Sequence, residues 1–408
     1  MGTTTYGLNV FAPEHIADPF PAYEEIRAAG RVVWNDFLHV WMVPGYEDVL
    51  TMLRDPARFS NSVGGPRDDD FPDLLRGAAL MITVDPPEQT RLRKVVQAAF
   101  LRGSLKRMED SLAPIVDEVL DSEEFLRVAR DGGQIDIGVE FCRVLPGTVI
   151  ARLMGVPSDD VGVFVQWADD MSAVAGPGRE HAPDWAEVKA NAIASGDAFF
   201  DFMGEQIERH RREPHDDLIN DLLVANGNGI LTDAEMLAAC FFLLSAGNET
   251  TYRLIGATLM LLAGAPEHRA LLVADPEVLP SAIEEVMRYE GVNHSLARRV
   301  TQDMTYADTD LAAGDVVMLM TAAANRDPSA FEDADRFVPT RSPNPHVGFG
   351  HGVHHCLGAA LARMEARTAI GHFLDHIPHY EVVRHTYGPG LLTRGPESLV
   401  IATHGRNH

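Results

Sequence analysis

Apolar and polar positions along the chain predict a mixed amino-terminal part followed by mainly helical structure. The apolar arms of "RVVWNDFLHVWMV" (residues 31–43) predict a hairpin, and a helix is expected over residues 45–53. Helical periodicity, with Pro and Gly as stops, dominates residues 85–386, and a strand-like pattern returns at residues 391–402. The predicted fold class is therefore mainly α with a minor β part, in which a β-rich segment covers about residues 1–70.

The strongest helix signal starts at "LTDAE", where Thr232 followed by Glu235 forms a capping-box pattern. The helix can continue to Ala263, because Gly264 and Pro266 then stop it. About thirty residues at 1.5 Å each give roughly 45 Å, which is enough to cross a whole domain.

The stretch "SAGNETT" (residues 245–251) interrupts this helix pattern with poor helix formers. A glycine costs about 1 kcal/mol relative to alanine in a helix interior. One interpretation is a close helix crossing at Gly247, with the Thr250 hydroxyl bonded to the Ala246 carbonyl. The other is a distortion that places the Glu249 carboxyl and the Thr250 hydroxyl beside a buried reaction site.

Composition and charge narrow the class of protein. The 408 residues are 46% hydrophobic and 23% charged, which is typical of a globular protein. With 34 Lys+Arg against 60 Asp+Glu, the net charge of −26 disfavours nucleic acid and anionic membranes as partners. No repeat or linker divides the sequence, no apolar run approaches the ~18–20 residues of a bilayer span, and no secretion signal is recognisable. We expect a single cytoplasmic domain over residues 1–408.

The stretch "HVGFGHGVHHCLG" (residues 346–358) concentrates four histidines beside Cys356. Four interpretations fit it: a zinc site, a cysteine nucleophile, a buried cysteine with solvated histidines, and a thiolate ligand of haem iron. Zinc needs four ligands, and neither CxxC nor HExxH accompanies the cluster. A helix predicted directly after Cys356 favours a thiolate through its free N–H groups. Glycines such as Gly350 would let the backbone approach a flat macrocycle.

The segment "FGHGVHHCLG" resembles, position for position, the FGxGxHxCxG haem-binding loop of the cytochrome P450 family. The resemblance implies a cytochrome P450 fold, with haem b held between the long distal helix and the helix that follows the cysteine loop. It makes Cys356 the axial ligand of the iron and His354 a contact of a haem propionate. Phe349 and Gly350 are implied as further haem contacts.

Other motifs of this family occur in the same order along most of the chain. The stretch "AGNETT" is similar to the family's oxygen-activating segment, which implies catalytic roles for Glu249 and Thr250. The stretch "EEVMR" supplies the family's ExxR pair, Glu285 and Arg288. Arg336 is expected to complete a buried Glu–Arg–Arg network that supports the cysteine loop.

Two further stretches are expected to hold the haem propionates. Arg298 in "HSLARRVTQD" and Arg93 in "DPPEQTRLRK" match arginines of the family, whereas Gln89 stands where the family has a histidine. Segments that match the family's pocket predict a mostly apolar substrate site. Its expected lining residues are Ile82, Phe242, Ala246, Ser295, Leu296, Leu391 and Leu392.

The resemblance implies a monooxygenase that activates O₂ with two externally supplied electrons. It would hydroxylate or epoxidise a hydrophobic small molecule of terpenoid, steroid, fatty-acid or macrolide type. A ferredoxin-type iron–sulfur protein, reduced by its own reductase, would dock on a basic cluster and supply the electrons to a monomeric enzyme. The expected cluster comprises Arg91, Arg93, Lys94 and Arg102. A peroxide-driven haem-thiolate enzyme and a non-catalytic haem sensor are the alternatives.

Overall fold

The long helix predicted from the capping box is the central element of this computed structural model, which describes residues 4–63, 73–101, 104–174, 182–388 and 392–404. It spans Asp233–Gly264, and its 32 residues correspond to about 48 Å. The Glu235 amide donates to the Thr232 hydroxyl over 3.2 Å, and the Thr232 amide donates to the Glu235 carboxylate over 2.8 Å. The helix is continuous through residues 245–251, so the poor helix formers in that stretch do not break it.

Helices supply most of the regular structure. In chain order they are α1 (Pro13–Ala17), α2 (Phe20–Ala29), α3 (Tyr46–Leu53), α4 (Glu88–Leu101), α5 (Ser104–Leu120), α6 (Glu123–Asp131), α7 (Val144–Leu153), α8 (Val161–Ser172), α9 (Trp185–Arg212), α10 (Leu218–Gly227), α11 (Asp233–Gly264), α12 (Pro266–Ala274), α13 (Leu279–Tyr289), α14 (Thr321–Asn325) and α15 (Ala359–His376). The strands are β1 (Val33–Asn35), β2 (Val40–Val43), β3 (Phe59–Ser60), β4 (Gly133–Asp136), β5 (Leu296–Val300), β6 (Met304–Tyr306), β7 (Thr309–Leu311), β8 (Val316–Leu319), β9 (Glu381–Tyr387) and β10 (Pro396–Thr403). The predicted mainly α class with a minor β part is confirmed.

The largest sheet joins segments that are far apart in the sequence. Its strand order is β1-β2-β8-β5-β3. The predicted hairpin of β1 and β2 is present, with Trp34 opposite Trp41, and β8 then pairs with β2 in parallel. The helix expected over residues 45–53 is present as α3, whereas α1 and α2 are helices that the prediction of a β-rich segment over residues 1–70 did not include. Strands β4 to β8 conversely lie inside the stretch expected to be helical, since each is only three to five residues long and carries little periodicity.

The main hydrophobic core surrounds α11, which packs against α7, α8, α9 and α15. Side chains on nearly every face of α11 are buried, which explains why its sequence is apolar without a single hydrophobic stripe. In the described ranges, no helix combines the length and the apolar character needed to cross a membrane.

A buried charge cluster fastens α13 to the chain that precedes the cysteine loop. Glu285 and Arg288 have no solvent-exposed side-chain surface, and two hydrogen bonds of 2.8 Å join them. The Arg288 guanidinium also donates to the carbonyls of Asn325, Ala334 and Arg336 over 2.7–2.9 Å. The pair therefore holds the segment after α14 against α13, with its donors satisfied by backbone oxygens.

The third member of this cluster is Arg341, and the prediction of Arg336 was wrong. The Arg341 Nε atom lies 3.1 Å from both oxygens of Glu285, and the Arg341 side chain is only 10% exposed. The Arg336 side chain is 74% exposed and pairs with Asp333 instead. Arg336 contributes its carbonyl to the cluster, because the turn through Asp333 directs its side chain outward.

Replacing Arg341 with alanine is expected to destabilise the protein much more than replacing Arg336. Arg341→Ala leaves part of the buried Glu285 charge uncompensated, which costs about 3–5 kcal/mol. Arg336→Ala removes an exposed ion pair worth about 0–1 kcal/mol. Urea unfolding of both variants measures the two free energies of unfolding. Equal losses would contradict the assignment of Arg341.

Candidate active site

The cysteine loop is fixed from two sides before it reaches α15. The Val347 amide donates to the Asn325 side chain over 2.8 Å, and His346 Nε2 lies 3.0 Å from the Glu284 carboxylate. Gly352 has φ +70°, and a Cβ atom there would lie 2.7 Å from the Leu53 carbonyl oxygen. Only glycine suits that position, because the loop both turns in the left-handed region and packs against the end of α3.

Cys356 lies three residues before α15, and its side chain is exposed to an internal cavity. Its amide donates to the Phe349 carbonyl over 2.8 Å, which closes the loop. Burial raises the pKa of the Cys356 thiol, whereas the Gly358 amide and the Arg93 guanidinium lower that pKa. The thiol therefore has nearby donors that stabilise its ionised form, as the position before a helix predicts.

The cavity carries positive charge and donors at the end near Cys356. Arg93 and His354 line it, and Arg298 is buried beside His354. Burial lowers the pKa of Arg298 to about 10, and burial together with the charge of Arg298 lowers the pKa of His354 to about 4. Within the described ranges, the buried Nε2 atom of His354 has no hydrogen-bond partner. This group of side chains is suited to an anionic ligand.

Gln89 links α4 to the cysteine loop. Its side-chain amide donates to the Val353 carbonyl over 2.7 Å, and Thr90 donates to its oxygen over 3.1 Å. One hydrogen of this amide thus holds the cysteine loop, and the binding of a propionate by Gln89 stays a prediction. Gln89 is 1% exposed, so the contact is a buried link between α4 and the loop.

The cavity residues fit haem b better than they fit a zinc ion. Haem presents two carboxylates and one iron. The cavity presents the side chains of Arg93 and His354, beside which Arg298 is buried, and one cysteine. Phe349 and Gly350 line the same end, and the Arg363 guanidinium stacks over the Phe349 ring at 4.3 Å. No cluster of three or more His, Cys, Asp or Glu side chains that could hold a metal ion occurs in the part of the chain that the structure describes.

The opposite wall of the cavity is mostly apolar and is built largely by α11. Residues of α11 that line it are Phe242, Leu243, Ala246, Gly247, Thr250, Thr251 and Leu254. Met81, Ile82, Ile150, Val292 and Leu296 extend this wall from other elements. The predicted lining residues Ile82, Phe242, Ala246 and Leu296 are thus brought together.

Two predicted pocket residues are not in this wall. Ser295 is buried next to Leu296 but does not line the cavity, because neighbouring side chains of an extended chain point to opposite sides. Leu392 contributes its carbonyl, which accepts the His294 amide over 2.9 Å, and its side chain does not line the cavity either. Leu391 lies outside the described residues.

The two residues expected to be catalytic occupy different sides of α11. Thr250 lines the cavity, and its hydroxyl donates to the Ala246 carbonyl over 2.8 Å. Glu249 is not a lining residue, and its side chain is 21% exposed. Its carboxylate lies 2.9 Å from Arg253 and accepts the Thr393 hydroxyl over 2.6 Å. Glu249 therefore joins the partly exposed side of α11 to the chain segment that carries Thr393.

Glu365 is a cavity residue that the sequence analysis missed. It lies on α15, is 4% exposed, and its Oε2 atom has no hydrogen-bond partner among the described residues. Burial raises the pKa of this carboxyl well above its ordinary value. Helix periodicity could have located it, because Glu365 follows Leu361 by four residues and so shares its buried face.

Similarity to known proteins agrees with this geometry. The family model for cytochrome P450 matches residues 39–382. The mycinamicin IV hydroxylase/epoxidase of Micromonospora griseorubida is 36% identical over 395 residues and is matched over 95% of each chain. The vitamin D(3) 25-hydroxylase of Pseudonocardia autotrophica is 35% identical over 93% of this chain and 92% of its own.

A solved structure shows the same overall fold. A cytochrome P450 of Bacillus megaterium in complex with testosterone matches with a TM-score of 0.85 and 34% identity, over 97% of this chain and 99% of that chain. The chain therefore belongs to the cytochrome P450 family. It is a monooxygenase of the family that uses haem b.

Glu365 is expected to make the stability of the protein depend on pH. Its folded-state pKa is raised, so the folded protein keeps a proton that the unfolded chain releases above about pH 4.5. Keeping this proton costs about 1.4 kcal/mol for each pH unit above that value. The stability of Glu365→Gln relative to the unmodified protein should therefore increase from pH 5 to pH 6. Unfolding in urea at both pH values measures this, and a constant difference would refute it.

Proposed function

We propose that this monooxygenase holds haem b through the Cys356 thiolate and transfers one oxygen atom of O₂ to a hydrophobic small molecule. The observation that carries the proposal is one cavity with Cys356 at its basic end and Thr250 in its apolar wall. Haem bound through a thiolate supplies the binding and cleavage of O₂. Arg298, Arg93 and His354 would bind the propionates, and the side chains of Phe349 and Leu357 would pack against the macrocycle.

Thr250 and Glu249 divide the handling of protons between them. The Thr250 hydroxyl donates to the Ala246 carbonyl, which leaves the lone pairs of its oxygen available to accept a hydrogen bond in the cavity that Thr250 lines. Glu249 is partly exposed and can exchange protons with solvent. A short movement of its carboxyl along α11 would bring a proton to the neighbouring Thr250. The pair therefore acts as a proton relay, which delivers protons without bulk water having to enter the cavity.

The apolar wall indicates the class of substrate. The ionisable groups that line the cavity all come from α4, the cysteine loop or α15. They are Arg93, His354, His355, Cys356 and Glu365. The wall formed by α11 and by residues 81–82 and 292–296 carries no ionisable lining side chain among the described residues. A large hydrophobic molecule of terpenoid, steroid, fatty-acid or macrolide type fits this wall. The relatives that are named as a mycinamicin IV hydroxylase/epoxidase and a vitamin D(3) 25-hydroxylase support the same class, and so does the solved structure in complex with testosterone.

The electrons are proposed to come from a ferredoxin-type protein and its reductase, with this chain acting as a cytoplasmic monomer. Members of this family need redox partners. The docking of this partner on the expected basic cluster stays a prediction. Arg91 is 37% exposed and forms ion pairs with Glu88 and Glu235, and Arg93 lines the cavity. Lys94 is exposed, and Arg102 lies outside the described residues.

Replacing Cys356 tests the axial ligand. Cys356→Ser is expected to lose the absorption maximum of the reduced, CO-bound protein that is characteristic of thiolate ligation, because oxygen does not donate electron density to iron as sulfur does. Cys240→Ser is the matched control, since Cys240 is buried in α11 and does not line the cavity. If Cys356→Ser kept the thiolate spectrum, another residue would have to be the ligand.

Replacing Thr250 tests oxygen activation and separates a monooxygenase from a peroxide-driven enzyme or a sensor. With the fastest compound from a panel of steroids, macrolides, fatty acids and terpenoids, Thr250→Ala should consume NADH but release mainly hydrogen peroxide. Thr258→Ala is the matched control, because Thr258 also bonds the carbonyl four residues earlier but does not line the cavity. Product yield per NADH should fall about tenfold or more only in Thr250→Ala. Unchanged yield would exclude the relay.

A further inference from the structure

Glu249 is held by two elements that approach it from different directions. Arg253, one turn further along α11, places Nε 3.0 Å and Nη2 2.9 Å from Oε1 of Glu249. The Thr393 hydroxyl donates to the same oxygen over 2.6 Å from outside the helix. A short hydrogen bond to an ionised oxygen is a strong one. The carboxylate thus has a position that α11 alone does not determine.

Arg253 by itself would not hold Glu249 near the cavity. Its guanidinium is buried and also donates to the Gly395 carbonyl over 2.9 Å, and it lies 3.4 Å from Glu397. These contacts place Arg253 on the side of α11 that leads toward the Glu397 carboxylate, which is 39% exposed. An ion pair with Arg253 alone would leave the Glu249 carboxylate free to rotate toward that side. The Thr393 hydroxyl opposes this rotation.

Thr393 can reach Glu249 because the chain over residues 392–397, here called the tail segment, packs directly on α11. A Cβ atom at Gly395, where φ is +153°, would lie 2.5 Å from the Cβ atom of Arg253. A Cβ atom at Gly256 would lie 2.9 Å from the Pro396 ring. Two glycines, one on each side of the contact, therefore allow the tail segment and α11 to approach more closely than larger residues would permit.

The tail segment is also paired with the cavity wall. The His294 amide donates to the Leu392 carbonyl over 2.9 Å, and the Arg394 amide donates to the Val292 carbonyl over 2.7 Å. Thr393 forms a β-bridge with Asn293, which lines the cavity. The backbone of Thr393 is therefore fixed to the wall of the cavity, while its side chain reaches Glu249.

We propose that Thr393 is a positioning residue that holds the Glu249 carboxylate for proton transfer to Thr250. The proposal rests on the proposed function of Glu249 as a proton relay. Thr393 touches no reacting group, and it acts by limiting where the carboxyl of Glu249 can lie. Without its hydroxyl, Glu249 keeps its ion pair with Arg253 but spends less time directed at the turn that carries Thr250.

Thr393→Val removes the hydroxyl at almost constant volume and is the main test. With the fastest compound of the panel, kcat should fall about tenfold, because one strong hydrogen bond to the carboxylate is lost. The substrate dissociation constant, read from the high-spin shift, should not change. The solvent deuterium isotope effect on kcat should increase, since proton delivery then limits the rate. A purely structural role would change haem content and substrate affinity instead.

Two variants serve as controls. Thr393→Ser keeps the hydroxyl and should retain kcat within about twofold of the unmodified enzyme. Thr403→Val removes another buried hydroxyl from the same carboxyl-terminal region, where it donates to the Val128 carbonyl, and should leave kcat and the isotope effect unchanged. In a Glu249→Gln background, Thr393→Val should add little further loss, because both changes act through the same carboxylate.

The outcomes distinguish this inference from the proposed function. If Thr250→Ala uncouples the reaction while Thr393→Val retains the normal kcat and isotope effect, Thr393 has no positioning role. If Thr250→Ala remains coupled, the relay itself is wrong, whatever Thr393→Val does. Should Thr393→Val fail to bind haem, Thr393→Ala, which only removes atoms, is judged by the same measurements. Full additivity with Glu249→Gln would also overturn the inference.

Discussion

The buried carboxylate of Glu285 is the constraint on which the position of the cysteine loop depends. A charge without exposed surface has to be compensated by well-placed donors, and here Arg288 and Arg341 supply them. The Val338 amide and the Asn344 side chain donate to the same carboxylate over 2.9 Å and 3.2 Å. These donors span the chain just before the loop, so compensating one charge also fixes the path by which the chain reaches Cys356.

The cavity acquires its chemical asymmetry from the elements that form its two ends. Charged and donor groups come from α4, β5 and the cysteine loop, where Arg93, Arg298 and His354 meet. The α11 wall is apolar, and Thr250 places a hydroxyl in it. A charged macrocycle and a hydrophobic substrate need these two environments side by side. Folding provides them by placing α11 opposite the loop that precedes α15.

Contacts between distant segments decide what several charged residues do. Arg91, Arg93 and Lys94 are neighbours in sequence, yet the first is paired with Glu235 on α11, the second faces the cavity and the third is exposed. Gln89, close by on α4, donates to the cysteine loop. A helix turns about 100° per residue, so a run of basic residues is distributed over several environments instead of forming one surface.

Local patterns in the sequence were sufficient for the elements whose causes are local. The capping box at Thr232 and Glu235 predicted the start of α11, and the glycines and Cys356 of the 346–358 stretch indicated the haem loop, because adjacent residues encode both features. The choice of Arg341 over Arg336, the reach of Thr393 to Glu249 and the pairing of β2 with β8 join positions that are far apart along the chain. Only the tertiary structure decided these, because such partners are selected by packing and by the compensation of buried charge.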